Sequence, residues 1–169
     1  PAATVGWWPG NNHASDLVGG QNGVLQGATT FAPGKVGQAF QFYGGTDSVL
    51  VAPPLVRLTN QFTIAAWINP ATHANEPGSP PGRGLVSRVG GPGGNNGYQL
   101  GLGHGYLWGN FNKAGQDWNN AFSISATSPI PINTWSHVAW TYDQSEMRLY
   151  LDGVPVATNV IGLQTMAET

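Results

Sequence analysis

The chain has 169 residues, a formal net charge of -2 and only 8% charged residues, which excludes a basic field for nucleic acid and a charged run for a membrane surface. It contains no Cys, so disulfides, Cys-ligated zinc and thiol catalysis are excluded as well. The 25 Gly and 13 Pro leave little room for ordinary helices, whose interiors lose about 1 kcal/mol per Gly and about 3 kcal/mol per Pro, and the chain is predicted to be all-β.

The predicted strands are short, alternating and bounded by turn residues. Trp7 and Trp8 are consecutive, so one points inward and the other outward. QAFQFYG sets Phe40 and Phe42 on one face, and DSVLVAP does the same for Val49 and Val51. In NQFTIAAWINP, Phe62, Ile64, Ala66 and Ile68 oppose Thr63, Ala65 and Trp67, and Pro70 ends the run. RGLVSRV alternates Leu85 and Ser87 against Val86 and Arg88. YQLGLGHGYLWGNF reads as two strands around Gly103 to Gly105, with Tyr98, Leu100 and Leu102 on one side.

NTWSHVAWTYD alternates Trp135, His137, Ala139 and Thr141 against Ser136, Val138, Trp140 and Tyr142. In MRLYLDGVPVATN the Asp152-Gly153 pair is a type I′ hairpin signal, because both central residues of that turn need positive φ. Trp67, Trp135 and Trp140, set in alternating apolar strands, are expected in the core. Residues 71–84 and 89–97 are rich in Pro and Gly and read as loops. Several such strands imply one antiparallel two-sheet sandwich spanning residues 1–169, with no repeat and no membrane span.

The ordered words APGKVGQAFQFYGGTDSVLV, QFTIAAWINP, GLVSR, NTWSHVAWTYD and RLYLDGVPV, spread from about Val5 to Asn159, resemble the laminin G-like domains of the concanavalin A-like lectin/glucanase superfold. The resemblance implies a jelly-roll sandwich with a curved concave sheet and a flatter one. Such domains usually finish with a further strand after the Asp-Gly hairpin, and the words that follow Asn159 do not match it. That departure raises the expectation of an open sheet edge, or of a partner chain or domain that supplies a strand.

Glycoside hydrolysis needs two converging carboxyl groups. The chain has eight Asp and Glu in all, without the E-x-D-x-x-E word of related glucanases, and the words of the superfold's lyases are also absent. No catalytic residue is assigned. Asn11 to Gly23 and the GGTDS word carry oxygen ligands and glycines of the kind that calcium accepts. Laminin G-like domains often hold calcium on a rim loop, which makes Asp16 the first candidate ligand and Asp47 the second. A turn-forming role for each aspartate is the competing reading. His13, beside the first site, is expected to face solvent.

A saccharide site needs exposed aromatic rings flanked by planar amide or guanidinium groups. GYLWGNFNKAGQDWNN supplies Trp108, Trp118, Asn110, Asn112 and Asn120, with Gln116 and Asn119 beside them. Arg88, Asn95, Asn96 and His104 are neighbours on adjacent strands or their connecting loop. Trp118 lies in a polar loop, whereas Trp108 lies on a strand and the sequence leaves its direction open. These residues point to a non-catalytic glycan- or polysaccharide-binding module, with a protein-interaction or adhesion domain as the alternative and a hydrolase or lyase behind both. A composition built on Asn, Gln, Ser, Thr and Gly suggests an extracellular or periplasmic location.

Overall fold

The computed structural model describes residues 3–52, 58, 61–73, 83–90, 96–113 and 121–165, with the side chains of 89, 90 and 96 left aside. Among the described residues there are twelve strands and no helix, as the Gly and Pro content demands. They divide into two compact units, Pro1–Arg57 and Leu58–Thr169.

The first unit holds two antiparallel pairs. β1 (Gly23–Gln26) pairs with β4 (Ser48–Val51), and β2 (Thr30–Pro33) pairs with β3 (Gln38–Gln41). Val49 and Val51 share the half-buried face of β4 while Leu50 is exposed, as the alternation predicts. Of the consecutive tryptophans, Trp7 is exposed and Trp8 half-buried, its indole N–H donating to the Gln21 carbonyl at 2.8 Å.

The second unit contains two four-stranded antiparallel sheets. One has the order β12 (Val154–Val160), β11 (Glu146–Leu151), β10 (Ser136–Tyr142), β5 (Phe62–Ile68). The other has the order β6 (Arg83–Gly90), β7 (Asn96–Gly103), β8 (Tyr106–Phe111), β9 (Phe122–Pro129). Each sheet is apolar on one face, and the two apolar faces meet to form the core of a sandwich. Phe62, Trp140, Tyr142 and Leu149 come from one sheet and Leu100, Leu107, Phe111 and Ile124 from the other. Their rings meet directly: Phe62 lies edge-on to Phe111 at 6.1 Å and to Trp140 at 4.7 Å. Gly109 of β8 makes this closeness possible, since a Cβ there would fall 2.8 Å from Cδ2 of the fully buried Trp140.

The Asp152-Gly153 turn forms as the sequence predicts, with φ of 49° and 82°. The Asp152 carboxylate also accepts the His137 N–H at 2.8 Å, which ties the turn to β10. One expectation fails. Of the three tryptophans assigned to the core, only Trp140 is fully buried; Trp135 is half-buried and Trp67 is 48% exposed. Trp67 lies opposite His137 on the outer face of its sheet, the rings 5.3 Å apart, because its strand alternates and Phe62, Ile64 and Ala66 take the inner positions.

Candidate functional site

The face of the β6–β9 sheet turned away from the core holds a shallow depression of about 420 Å³. It follows from strand alternation. Along β8, Leu107, Gly109 and Phe111 are buried against the core, so Tyr106, Trp108 and Asn110 project outward. Along β7, Leu100 and Leu102 take the core, leaving Gln99, Gly101 and Gly103 on the outer face. Along β9, Ile124 and Ala126 point inward, and Ser125 joins the outer face opposite Trp108.

The centre of this face is Trp108, lying across its neighbour strand. Gly101 stands directly opposite it in register, and a Cβ at Gly101 would fall 2.7 Å from the indole Cζ2. A Cβ at Gly103 would fall 3.3 Å from Cδ1 and Nε1. Two side-chain-free positions on β7 therefore leave the indole room over that strand, which larger residues there would take. Trp108 is half-buried as a result: one side is covered by backbone, and the ring remains part of the depression.

The rim is set by the His104-Gly105 turn, whose residues have φ of 53° and 85°. Gly105 is packed against the ring of His73, and its carbonyl accepts the Ile130 N–H at 2.8 Å. His73 Nε2 hydrogen-bonds the Ile130 carbonyl in turn. This clamp fixes the turn and with it exposed His104 and Tyr106 at one end of the depression. At the other end, Asn110 pairs directly with Gln99, and the Asn110 Oδ1 is buried without a hydrogen-bond partner.

The structure thus brings Trp108 and Asn110 together and adds Gln99, Ser125, Tyr106 and His104. Two assigned residues lie elsewhere. Arg88 stands opposite Tyr98 in register, which places it on the core side of the sheet, across from the Gln99 and Trp108 face. Burial pushes the Tyr98 hydroxyl upward in pKa, partly offset by the Arg88 charge. Asn112 is fully buried, and both of its amide heavy atoms lack a hydrogen-bond partner, so it offers nothing to a ligand at the surface. Gln116, Trp118, Asn119 and Asn120 lie outside the described residues, as does Asn95, and of Asn96 only the backbone is described.

Gln99 was legible without being assigned. The reading that put Tyr98, Leu100 and Leu102 on one side of a strand already left Gln99 on the other. Ser125 belongs to FSISATSP, an alternating strand that was not identified from the sequence.

The two aspartates belong to the first unit. Asp16 is buried, and its Oδ1 accepts the N–H groups of Trp7 at 2.8 Å and Val18 at 3.0 Å. Its Oδ2 accepts the Gln21 N–H at 3.1 Å. Burial raises the carboxyl pKa, but the backbone N–H groups of Trp7, Val18, Gly19 and Gln21 together outweigh it and hold the value below the ordinary one. Asp47 is half-buried and works in the same way, accepting Ala28 N–H through Oδ1 and Tyr43 N–H through Oδ2, each at 2.7 Å. Each carboxylate thus accepts backbone N–H groups, as a turn-forming aspartate does. Among the described residues no three His, Asp or Glu side chains gather into a metal-holding group. His13 is exposed, its Nδ1 accepting the Ser15 N–H at 3.3 Å.

The family model Laminin_G_3, of the concanavalin A-like lectin/glucanases superfamily, matches residues 43–169. The chain belongs to that superfamily. Among solved structures, this superfamily member is similar to domain 4 of AbnA, a GH43 extracellular arabinanase from Geobacillus stearothermophilus, in complex with arabinotriose. The TM-score is 0.66 at 19% identity, over 94% of this chain and 75% of that one. It is also similar to an S-layer domain-containing protein from Clostridium thermocellum, with TM-score 0.57, 22% identity and coverage of 90% and 68%. A third likeness is to the binding domain of botulinum neurotoxin serotype G, with TM-score 0.64, 14% identity and coverage of 90% and 38%. At these identities the likeness establishes the sandwich fold. No curated protein sequence matches this superfamily member significantly.

Proposed function

We propose that this chain is a non-catalytic carbohydrate-binding module, part of a larger exported protein, that holds glycan on the outer face of the β6–β9 sheet. The observation that carries the proposal is the indole of Trp108 on the outer face, packed over the side-chain-free positions Gly101 and Gly103, with amides and hydroxyls beside it. A sugar ring presents a flat C–H face and a rim of hydroxyls, which an aromatic plane with neighbouring amides can match. The arabinotriose held by domain 4 of AbnA supports a short oligosaccharide as the first ligand to try.

Support for a binding role over a hydrolytic one comes from the lining. Among the described residues no carboxylate borders the depression, and hydrolysis of a glycosidic bond uses two. The extracellular arabinanase and the S-layer domain-containing protein among the structural neighbours support an extracellular setting. No helix among the described residues is long and apolar enough to cross a membrane.

A shallow site buries little area, so affinity is expected between micromolar and millimolar. The test is calorimetric titration of the wild-type chain with arabinotriose, xylotriose and cellotriose, repeated with Trp108→Ala. Binding to at least one of them, lost in the variant at unchanged Tm, is the expected result. No binding across the panel, or binding that survives Trp108→Ala, would overturn the proposal.

A further inference from the structure

The outer face of the β6–β9 sheet carries a second feature, a row of small polar side chains running across all four strands. Ser87 pairs with Gln99, Gln99 with Asn110, and Asn110 with Ser123, so the four stand in line, one per strand. Paired residues share a face, and Gln99 and Asn110 border the depression, which places the whole row on the Trp108 side. Three inter-strand spacings of about 4.8 Å make the row about 14 Å long, the length of about three sugar rings end to end.

The row's chemistry is uniform. Each member is an amide or a hydroxyl, able both to donate and to accept, which is also the character of a sugar hydroxyl. Among the described residues that line the depression there is no Lys or Arg to meet a uronate or sulfate. Arg88 stands across from Tyr98 on the other face, and Arg83 Nη2 donates to Thr72 Oγ1 at 3.3 Å. An acidic sugar laid on the row would lose part of its hydration without gaining a charge-assisted hydrogen bond. A neutral sugar meets no such penalty, and its hydroxyls can both donate to and accept from the amides and hydroxyls of the row.

We infer that the site selects neutral, linear oligosaccharides lying across the strands, and that Gln99, midway along the polar row and next to Trp108, is a specificity-determining residue. This rests on the glycan reading above. The experiment is calorimetric titration with neutral arabinan- and xylan-derived oligosaccharides of one to five units and with trigalacturonate, at low and high NaCl, for wild type and Gln99→Ala. Affinity is expected to climb up to the trimer and level off beyond it, without responding to salt. Trigalacturonate should bind at least about tenfold more weakly than the neutral trimer, and Gln99→Ala should weaken trimer binding about fivefold at unchanged Tm.

Trigalacturonate binding as tightly as the neutral trimer, or affinity falling steeply with salt, would overturn the inference and leave a glycan-binding module standing. So would a Gln99→Ala variant that binds the trimer like wild type while Trp108→Ala does not. Failure of every saccharide to bind would instead remove the glycan reading and this inference together.

Discussion

Removing the carboxylate of Asp16 tests whether the N-terminal unit is held by a buried anion surrounded by N–H groups. Asp16→Ala takes away the acceptor for Trp7, Val18 and Gln21 at 2.8, 3.0 and 3.1 Å. Hydrogen bonds to a charged group contribute about 1.5–3 kcal/mol each, and water entering the vacated space restores part of that, so a loss of about 3–5 kcal/mol is expected. Asp16→Asn keeps one oxygen acceptor and should lose roughly half as much.

The pH dependence has a definite sign. Because the folded-state pKa of Asp16 lies below its unfolded value of about 3.9, the unfolded chain binds the proton more readily. The contribution is therefore complete at neutral pH, begins to decline as pH falls toward the unfolded value, and is lost as pH drops through the folded one. In Asp16→Ala the acid limb of the stability profile should flatten. Urea unfolding as a function of pH gives the energy, and hydrogen exchange at the Trp7, Val18 and Gln21 amides gives the location. Unchanged exchange at those three amides in Asp16→Ala would refute the reasoning. A rise in wild-type Tm with millimolar calcium over EDTA, abolished by the same substitution, would refute it from the other side by returning the aspartate to the role of metal ligand.

Three further outcomes can be measured. Gly109→Ala forces a methyl to within 2.8 Å of the Trp140 indole and should cost about 1–3 kcal/mol by overpacking, read from denaturant midpoints; a neutral effect would mean that the sheets can part there freely. Gly103→Ala brings a methyl to 3.3 Å from Trp108 Cδ1 and Nε1, so the indole must shift by a few tenths of an ångström. That should weaken saccharide binding by about 1 kcal/mol, roughly fivefold, with stability little changed, and equal affinity would show that the indole's position over Gly103 is immaterial. Gly153→Ala places a Cβ at φ of 82° in the hairpin turn and should destabilise by about 1–2 kcal/mol in thermal unfolding, which an unaltered Tm would contradict.

The β5 and β10 strands show how much the sequence conveyed. Their alternation grouped Phe62 with Ile64 and Val138 with Trp140 on one face each, and the structure turns those faces inward, because side-chain alternation along a strand is a property of its own backbone. The same alternation already placed Trp67 opposite those residues. Expecting it in the core assumed that both faces of the strand are covered, and local periodicity carries no information about cover. Arg88 went astray for a related reason: the register shift between Gly84 and Val86 and the pairing with Tyr98 settle its side, and pairing is a relation between strands. Asp16 depended on chain neighbours as distant as Trp7, nine residues away, whose N–H the folded loop turns inward onto the carboxylate.

By itself the sequence determined the all-β class through its Gly and Pro content, the Asp152-Gly153 hairpin through its two positive-φ positions, and which residues share a face along each well-patterned strand. It also offered Trp118 and, with its direction left open, Trp108 as candidate ligand-facing aromatics in a stretch with few aliphatic residues. Only the tertiary structure decided which way the Trp108 ring faces and how it lies. The indole rests on Gly101 and Gly103, residues of another strand, and is aligned with Gln99 and Asn110 by a register that involves four strands at once. Direction along a strand is local and can be read from a few residues. A binding surface is assembled between strands, from pairings of residues far apart in the chain, and exists only once those strands have found one another.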